Sequence, residues 1–109
     1  MSIAARRRAN AYERATACLA VVVANGAVRR ALPSLTELAE TGIADPHQAL
    51  NTLGLVRGLP RPEEDVLGAI YDILDAAVHH PSHLNPCVEY AEKLAARLAQ
   101  SRETGAPYA

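Results

Sequence analysis

Residues 62–81 read PEEDVLGAIYDILDAAVHHP, and their spacing decides the fold class. Val66, Ile70, Ile73 and Ala77 recur at intervals of three and four, so they share one stripe of a helix. Leu67 and Leu74 widen that stripe, while Asp72 and Asp75 fall on the other side. Glu63, Glu64 and Asp65 stand in the first turn, where carboxylates meet the positive end of the helix dipole. Pro81 cannot continue the helix and ends it. Nowhere does the chain alternate apolar and polar residues with period two between hairpin turns, so no strand is predicted.

The same punctuation extends outward in both directions. Downstream, Asn85-Pro86 opens a last helix whose inner face is Cys87, Ala91, Leu94 and Leu98. Residues 101–109 read as a frayed tail. Upstream, residues 2 to about 25 are strong helix formers rich in Ala and Arg. That helix stops at a Gly26 cap or runs on through Arg29 and Arg30 to Leu32, and Pro33 ends it either way. Ser34-Leu35-Thr36-Glu37 has the form of a capping box and opens a short helix that closes at Gly42. Asp45-Pro46 opens another, with Asp as N-cap and Pro at the first helical position, ending at Gly54. Residues 55–61 form a loop. The expectation is an all-α, single compact domain of about five helices over residues 1–100. Its long first helix packs against a short helical hairpin and two longer C-terminal helices.

Composition supports that expectation. Half of the 109 residues are apolar, which is too many for a disordered chain, and 4% are aromatic with no Phe or Trp. The core is therefore aliphatic. Val21-Val22-Val23 makes the first helix apolar on every side, which requires central burial or an oligomer contact. Cys18 and Cys87 show no dense disulfide spacing and read as free thiols of a cytoplasmic protein. Arg6-Arg7-Arg8 followed by the apolar run 16–24 has the outline of a signal peptide. Ala24-Asn25-Gly26-Ala27 makes a poor cleavage site, however, and the run is far shorter than the roughly 20 residues that span a membrane. No membrane contact is expected.

Charge is asymmetric. Residues 1–61 hold eight arginines against four acids, net +4; residues 62–109 hold three bases against eight acids, net −5. Any phosphate contact belongs to the first half, and the acidic half suits a basic protein surface. Enzyme signatures are missing: there is no Gly-rich phosphate loop, no nucleophile elbow and no Walker lysine, Lys93 being the one lysine. No cofactor is expected. The Glu63–Asp65 run and the Asp72–Asp75 pair read as solvated charge rather than as acid–base pairs. His79, His83 and Cys87, four residues apart, carry metal-ligand chemistry with Asp75 as a fourth donor. Pro81 and Pro86 break the helix that would stack them, so no metal is assigned there. Cys87 in a first helical turn, with His83 as a base, has the ingredients of a reactive thiol; its place on the inner face argues for a core residue instead.

Leu35-Thr36-Glu37-Leu38-Ala39-Glu40-Thr41-Gly42-Ile43, followed by residues 48–56, resembles a helix-turn-helix, with an inward Ala, a turn Gly and a second helix. Leu53-Gly54-Leu55-Val56 resembles the passage into a wing. The resemblance implies that His47, Gln48 and Asn51 face base edges and that Arg29, Arg30, Arg57 and Arg61 hold phosphates. The second helix has no Arg or Lys from Pro46 to Leu53, and the whole chain sums to −1. A binding protein with a protein partner is therefore the leading expectation, and a DNA-binding regulator the alternative. Arg6, Arg7, Arg8 and Arg14 on the first helix would contact an acidic partner or the acidic half of a second copy, which would make a homodimer.

Overall fold

A computed structural model describes residues 2–105. Among these there are six α-helices, one 3₁₀ turn and no strand. The helices are α1 (Ile3–Val23), α2 (Gly26–Ala31), α3 (Pro33–Thr41), α4 (Pro46–Gly54), α5 (Arg61–His79) and α6 (Leu84–Thr104), with the 3₁₀ turn over Pro81–His83. The all-α expectation holds, with one helix more than expected. The long helices α1, α5 and α6 pack on one another, α3 lies on α1, and α4 lies on α5. The radius of gyration is 13.4 Å, which is that of one compact domain of this length.

The stripe on α5 is where its spacing predicts. Val66, Ile70, Ile73 and Leu74 are fully buried, and Leu67 and Ala77 nearly so. α1 buries Ala11, Ala15, Cys18, Leu19, Val22 and Val23, with Val21 half-buried, and touches α2, α3, α5 and α6. Its triple valine is thus accounted for by a central position inside the domain. Alanines on the inner faces of α1 and α6 (Ala11, Ala15, Ala91, Ala95) let neighbouring helices approach closely.

Several boundaries differ from the sequence reading, each for a local reason. α1 neither ends at a Gly26 cap nor continues to Leu32. Asn25 adopts an extended backbone, and its side chain accepts from the Ala27 amide at 3.0 Å, so it caps α2 and Gly26 becomes the first residue of that helix. The capping box at Ser34 does not form. Pro33 occupies the first helical position, Leu32 is the N-cap, and no side chain caps the end; Ser34 lies exposed inside the helix. Asp45 does cap α4, accepting from the His47 amide at 2.9 Å with Pro46 at the first position. The last helix starts one residue early, at Leu84, and Pro86 is tolerated because first-turn amides need no helical acceptor. Its inner face runs Leu84, Val88, Ala91, Ala95 and Leu98 with Leu94, which leaves Cys87 half-buried at the edge. α6 also continues through residues 101–104, the first part of the expected tail. Gly105 caps it, and 106–109 lie outside the described residues.

Ile73 and Leu94 sit at 0% and 6% exposure on facing long helices. Ile73→Ala and Leu94→Ala should each lower unfolding free energy by about 2–4 kcal/mol in a denaturant titration. A loss below about 0.5 kcal/mol would mean that these positions are not core.

Candidate functional site

The turn that resembles a helix-turn-helix is real local structure. Gly42 has φ +92°, a left-handed value that disfavours any side chain, and it separates α3 from α4. The next residue, Ile43, is buried, and its amide donates to Thr16 Oγ1 on α1 at 3.0 Å, which pins the turn to the long-helix scaffold. α4 turns Ala49 and Leu53 inward, and His47, Gln48 and Asn51 lie together on its exposed face. No strand follows: after Leu55 the chain runs as a loop to α5, so the residues read as a wing passage form none.

The arginines assigned to phosphates are mostly engaged elsewhere. Arg29 pairs with Glu40 of α3. Arg57 Nη1 donates to the carbonyls of Gly54 and Val56 at 2.8 and 2.7 Å, closing the C-terminal end of α4. Arg61 reaches Asp65 at 3.9 Å along its own helix. Arg30 makes no ion pair among the described residues. The cleft between α3 and α4, beside the exposed face of α4, is lined by Glu37 and Asp45 with Gln48. Carboxylates there repel phosphate.

The basic residues of α1 divide into two groups. Arg6 and Arg7 are exposed on the first two turns, which precede the first buried residue, Ala11. Arg8 is half-buried near Tyr12; burial raises the Tyr12 phenol pKa, and the Arg8 charge works against that rise. Arg14 belongs to the scaffold. Its Nε donates to Glu92 Oε2 at 2.9 Å and its Nη2 to Oε1 at 2.5 Å, a bidentate clamp between α1 and α6. That contact holds the Glu92 carboxyl below its usual pKa.

No family model, curated protein or solved structure matches this chain.

The histidine segment does not assemble a centre. The His80 and His83 rings stack at 5.5 Å, and His83 and Cys87 border one shallow groove with Asp72 and Tyr90. Among the described residues no three His, Cys, Asp or Glu side chains converge as a metal set would. The Cys87 thiol is pushed up in pKa, first by burial and then by Asp72 and Asp75, so it stays protonated at neutral pH. Cys18 is buried, and its thiol is pushed up to about 11 by desolvation.

Two features were not foreseen. Glu63, expected among solvated acids, is 4% exposed. Its Oε1 accepts from Arg102 Nη2 at 2.9 Å and from Asn25 Nδ2 at 3.3 Å, and Arg102 also bonds the Val21 carbonyl. The other feature is Leu55, which is 82% exposed. It borders a groove of about 300 Å³ with Leu32, Pro33, Leu35 and Val56. The end of α4 at Gly54, closed by Arg57, leaves Leu55 outside the core, as the loop read over residues 55–61 allows; its bordering of an apolar groove was not readable from the sequence.

Three measurements test this geometry. In native protein at pH 8 a thiol reagent should label Cys87 slowly and leave Cys18 untouched, whereas both should react after unfolding without reductant. Prompt native labelling of Cys18 would mean that its pocket is open. The raised Cys18 pKa also fixes a sign. Above its ordinary value of 9.0 the unfolded thiol ionises while the folded one keeps its proton until about 11, so stability should fall between those values. Arg102→Ala should cost about 2–3 kcal/mol, because it leaves a buried carboxylate with Asn25 alone. Glu63→Met combined with Arg102→Met should cost less than Arg102→Ala. A larger loss for the double variant would show the ion pair to be net stabilising.

Proposed function

We propose that this chain acts as a small non-enzymatic helical protein that binds another protein, through the face built by α2, α3, α4 and the loop into α5. Leu55 carries this reading. It stands almost wholly in water beside Leu32, Pro33 and Val56 at one apolar groove, and a contiguous exposed apolar patch is a feature of binding surfaces. The arginine pairings support it, since Arg29 and Arg57 are satisfied within the fold. Arg6 and Arg7, projecting at the start of α1, offer a second, basic contact; Arg14 is not part of it. Among the described residues no helix is long and apolar enough to cross a membrane, and both cysteines are free, which fits a reducing cytoplasm.

A DNA-binding regulator is the second reading, because His47, Gln48 and Asn51 do share one exposed face. The absence of any Arg or Lys on α4 and the carboxylates of the neighbouring cleft place it second.

Leu55→Ser separates the two. The change removes an exposed side chain, so melting temperature should be unchanged. The variant should lose a stoichiometric protein partner that wild type retains from a nuclease-treated extract of the native host. A gel shift at about 150 mM salt with the upstream DNA of the protein's own gene should show no complex. A nanomolar complex that Gln48→Ala or Asn51→Ala weakens by about 1–3 kcal/mol would make DNA the ligand.

A further inference from the structure

A groove of about 360 Å³ lies where α5, the 3₁₀ turn and α6 meet, well apart from Leu55. Asp72, Cys87 and Tyr90 line it with Ala69 and Pro86. Its negative charge is unmet. Neither Asp72 nor Asp75, one turn further along α5, makes an ion pair among the described residues. Burial and then the Asp75 charge raise the Asp72 pKa, and burial and then both aspartates raise that of Cys87; no base works against either rise. His83 is the one basic residue on the lining. The apolar side of the groove is open as well, since Pro86 is exposed and Tyr90 is 57% exposed. A complementary occupant therefore brings cations and an apolar group together.

The same chain carries that combination. Ile3, Arg6 and Arg7 are spaced i, i+3 and i+4 on α1, so they share one helix face. All three are exposed, Ile3 at 72%, and neither arginine makes an ion pair among the described residues. No described residue of α1 before Ala11 is buried, so this arm stands clear of the core.

The arm cannot serve its own groove. α1 is one continuous helix, its later turns fixed by the Arg14–Glu92 clamp and by the buried Ala15, Cys18 and Leu19. Folding the arm back would break that helix. A second copy meets no such obstacle. Two copies related by a two-fold axis use both surfaces twice and leave neither uncovered, which closes the assembly. An unrelated basic helix would fill the groove and leave Ile3, Arg6 and Arg7 in water.

We propose that two copies of this chain pair reciprocally, each laying the Ile3–Arg7 face of α1 into the α5–α6 groove of the other. The isoleucine meets Tyr90 and Pro86, and the arginines meet Asp72 and Asp75. The pairing rests on the reading of Arg6 and Arg7 as a protein contact and gives them their partner.

The test is sedimentation equilibrium of the 109-residue chain at about pH 8, above the range in which histidine gains charge. A dimer should form with rising concentration at about 50 mM salt and weaken about tenfold at about 500 mM. Arg6→Glu with Arg7→Glu reverses the arm, and Asp72→Arg with Asp75→Asn reverses the groove. Each protein alone should stay monomeric while keeping wild-type helix content in circular dichroism. Mixed in equal amounts they should form a heterodimer, because each arm then faces a groove of opposite sign. Ile3→Ser should weaken the wild-type dimer about fivefold. A wild-type chain that stays monomeric at millimolar concentration and low salt overturns the proposal. So does a dimer indifferent to the arm reversal, or a reversed pair that fails to associate. A dimer lost through Leu55→Ser instead would place self-association on the α2–α4 face and overturn it too. A monomeric wild type that still loses a host protein through Leu55→Ser would sink the reciprocal pairing and leave protein binding standing.

Discussion

A carboxylate inside an aliphatic core sets the geometry of this domain. Glu63 enters at the first turn of α5, and burying a charge there costs several kcal/mol unless a partner meets it. Arg102, near the end of α6, meets it, Asn25 between α1 and α2 adds a second donor, and Arg102 also takes the Val21 carbonyl of α1. One carboxylate oxygen therefore gathers the ends of three long helices and the cap of a short one. Its partner oxygen has no hydrogen bond among the described residues. Such a tie fixes register more than it adds stability, because an apolar substitute would avoid the desolvation cost. The bidentate Arg14–Glu92 contact clamps α1 to α6 a few turns away, nearer solvent.

This scaffold carries the short helices. α2 buries Val28 alone and α3 Leu35 alone, so neither helix has enough core of its own to stand free. They are held by attachment: the Ile43 amide on Thr16, Ala49 and Leu53 of α4 among the core residues, and Arg29 on Glu40. What remains outward is a face where the arginines are largely consumed and the apolar groups are not. This division is the support for the proposed protein partner, because phosphate recognition needs the reverse.

The fold was legible wherever a local rule had no rival. The α5 stripe is strongly periodic, Asp45-Pro46 had no competing start, and Gly42 was the residue its turn needed. Where two local rules competed, the reading failed by a residue or two. Pro33 took the first helical position and left Ser34 inside the helix. Asn25, a better cap than Gly26, split the first helix. On α6, Cys87 and Val88 both extend the Ala91–Leu98 stripe, and the sequence alone does not choose between them. Glu63 with Arg102 and Arg14 with Glu92 join residues 39 and 78 positions apart, and no pattern along the chain records such pairs. The residues read from the sequence as facing DNA illustrate the same limit. Their exposure on α4 was readable, but the consumption of Arg29 and Arg57 depends on tertiary partners.

A rigid three-helix scaffold carries the lightly anchored face proposed for binding. Residue-resolved amide hydrogen exchange of the native protein tests it most directly, because exchange separates local opening from global unfolding. Amides of Leu19, Ile73 and Leu94 should exchange only through global unfolding, with one common free energy that tracks the denaturant midpoint. Those of Leu38 and Leu50, on α3 and α4, should exchange faster, through openings that leave the scaffold closed. Equal protection across all helices, or a scaffold that opens before α3 and α4, would contradict the account.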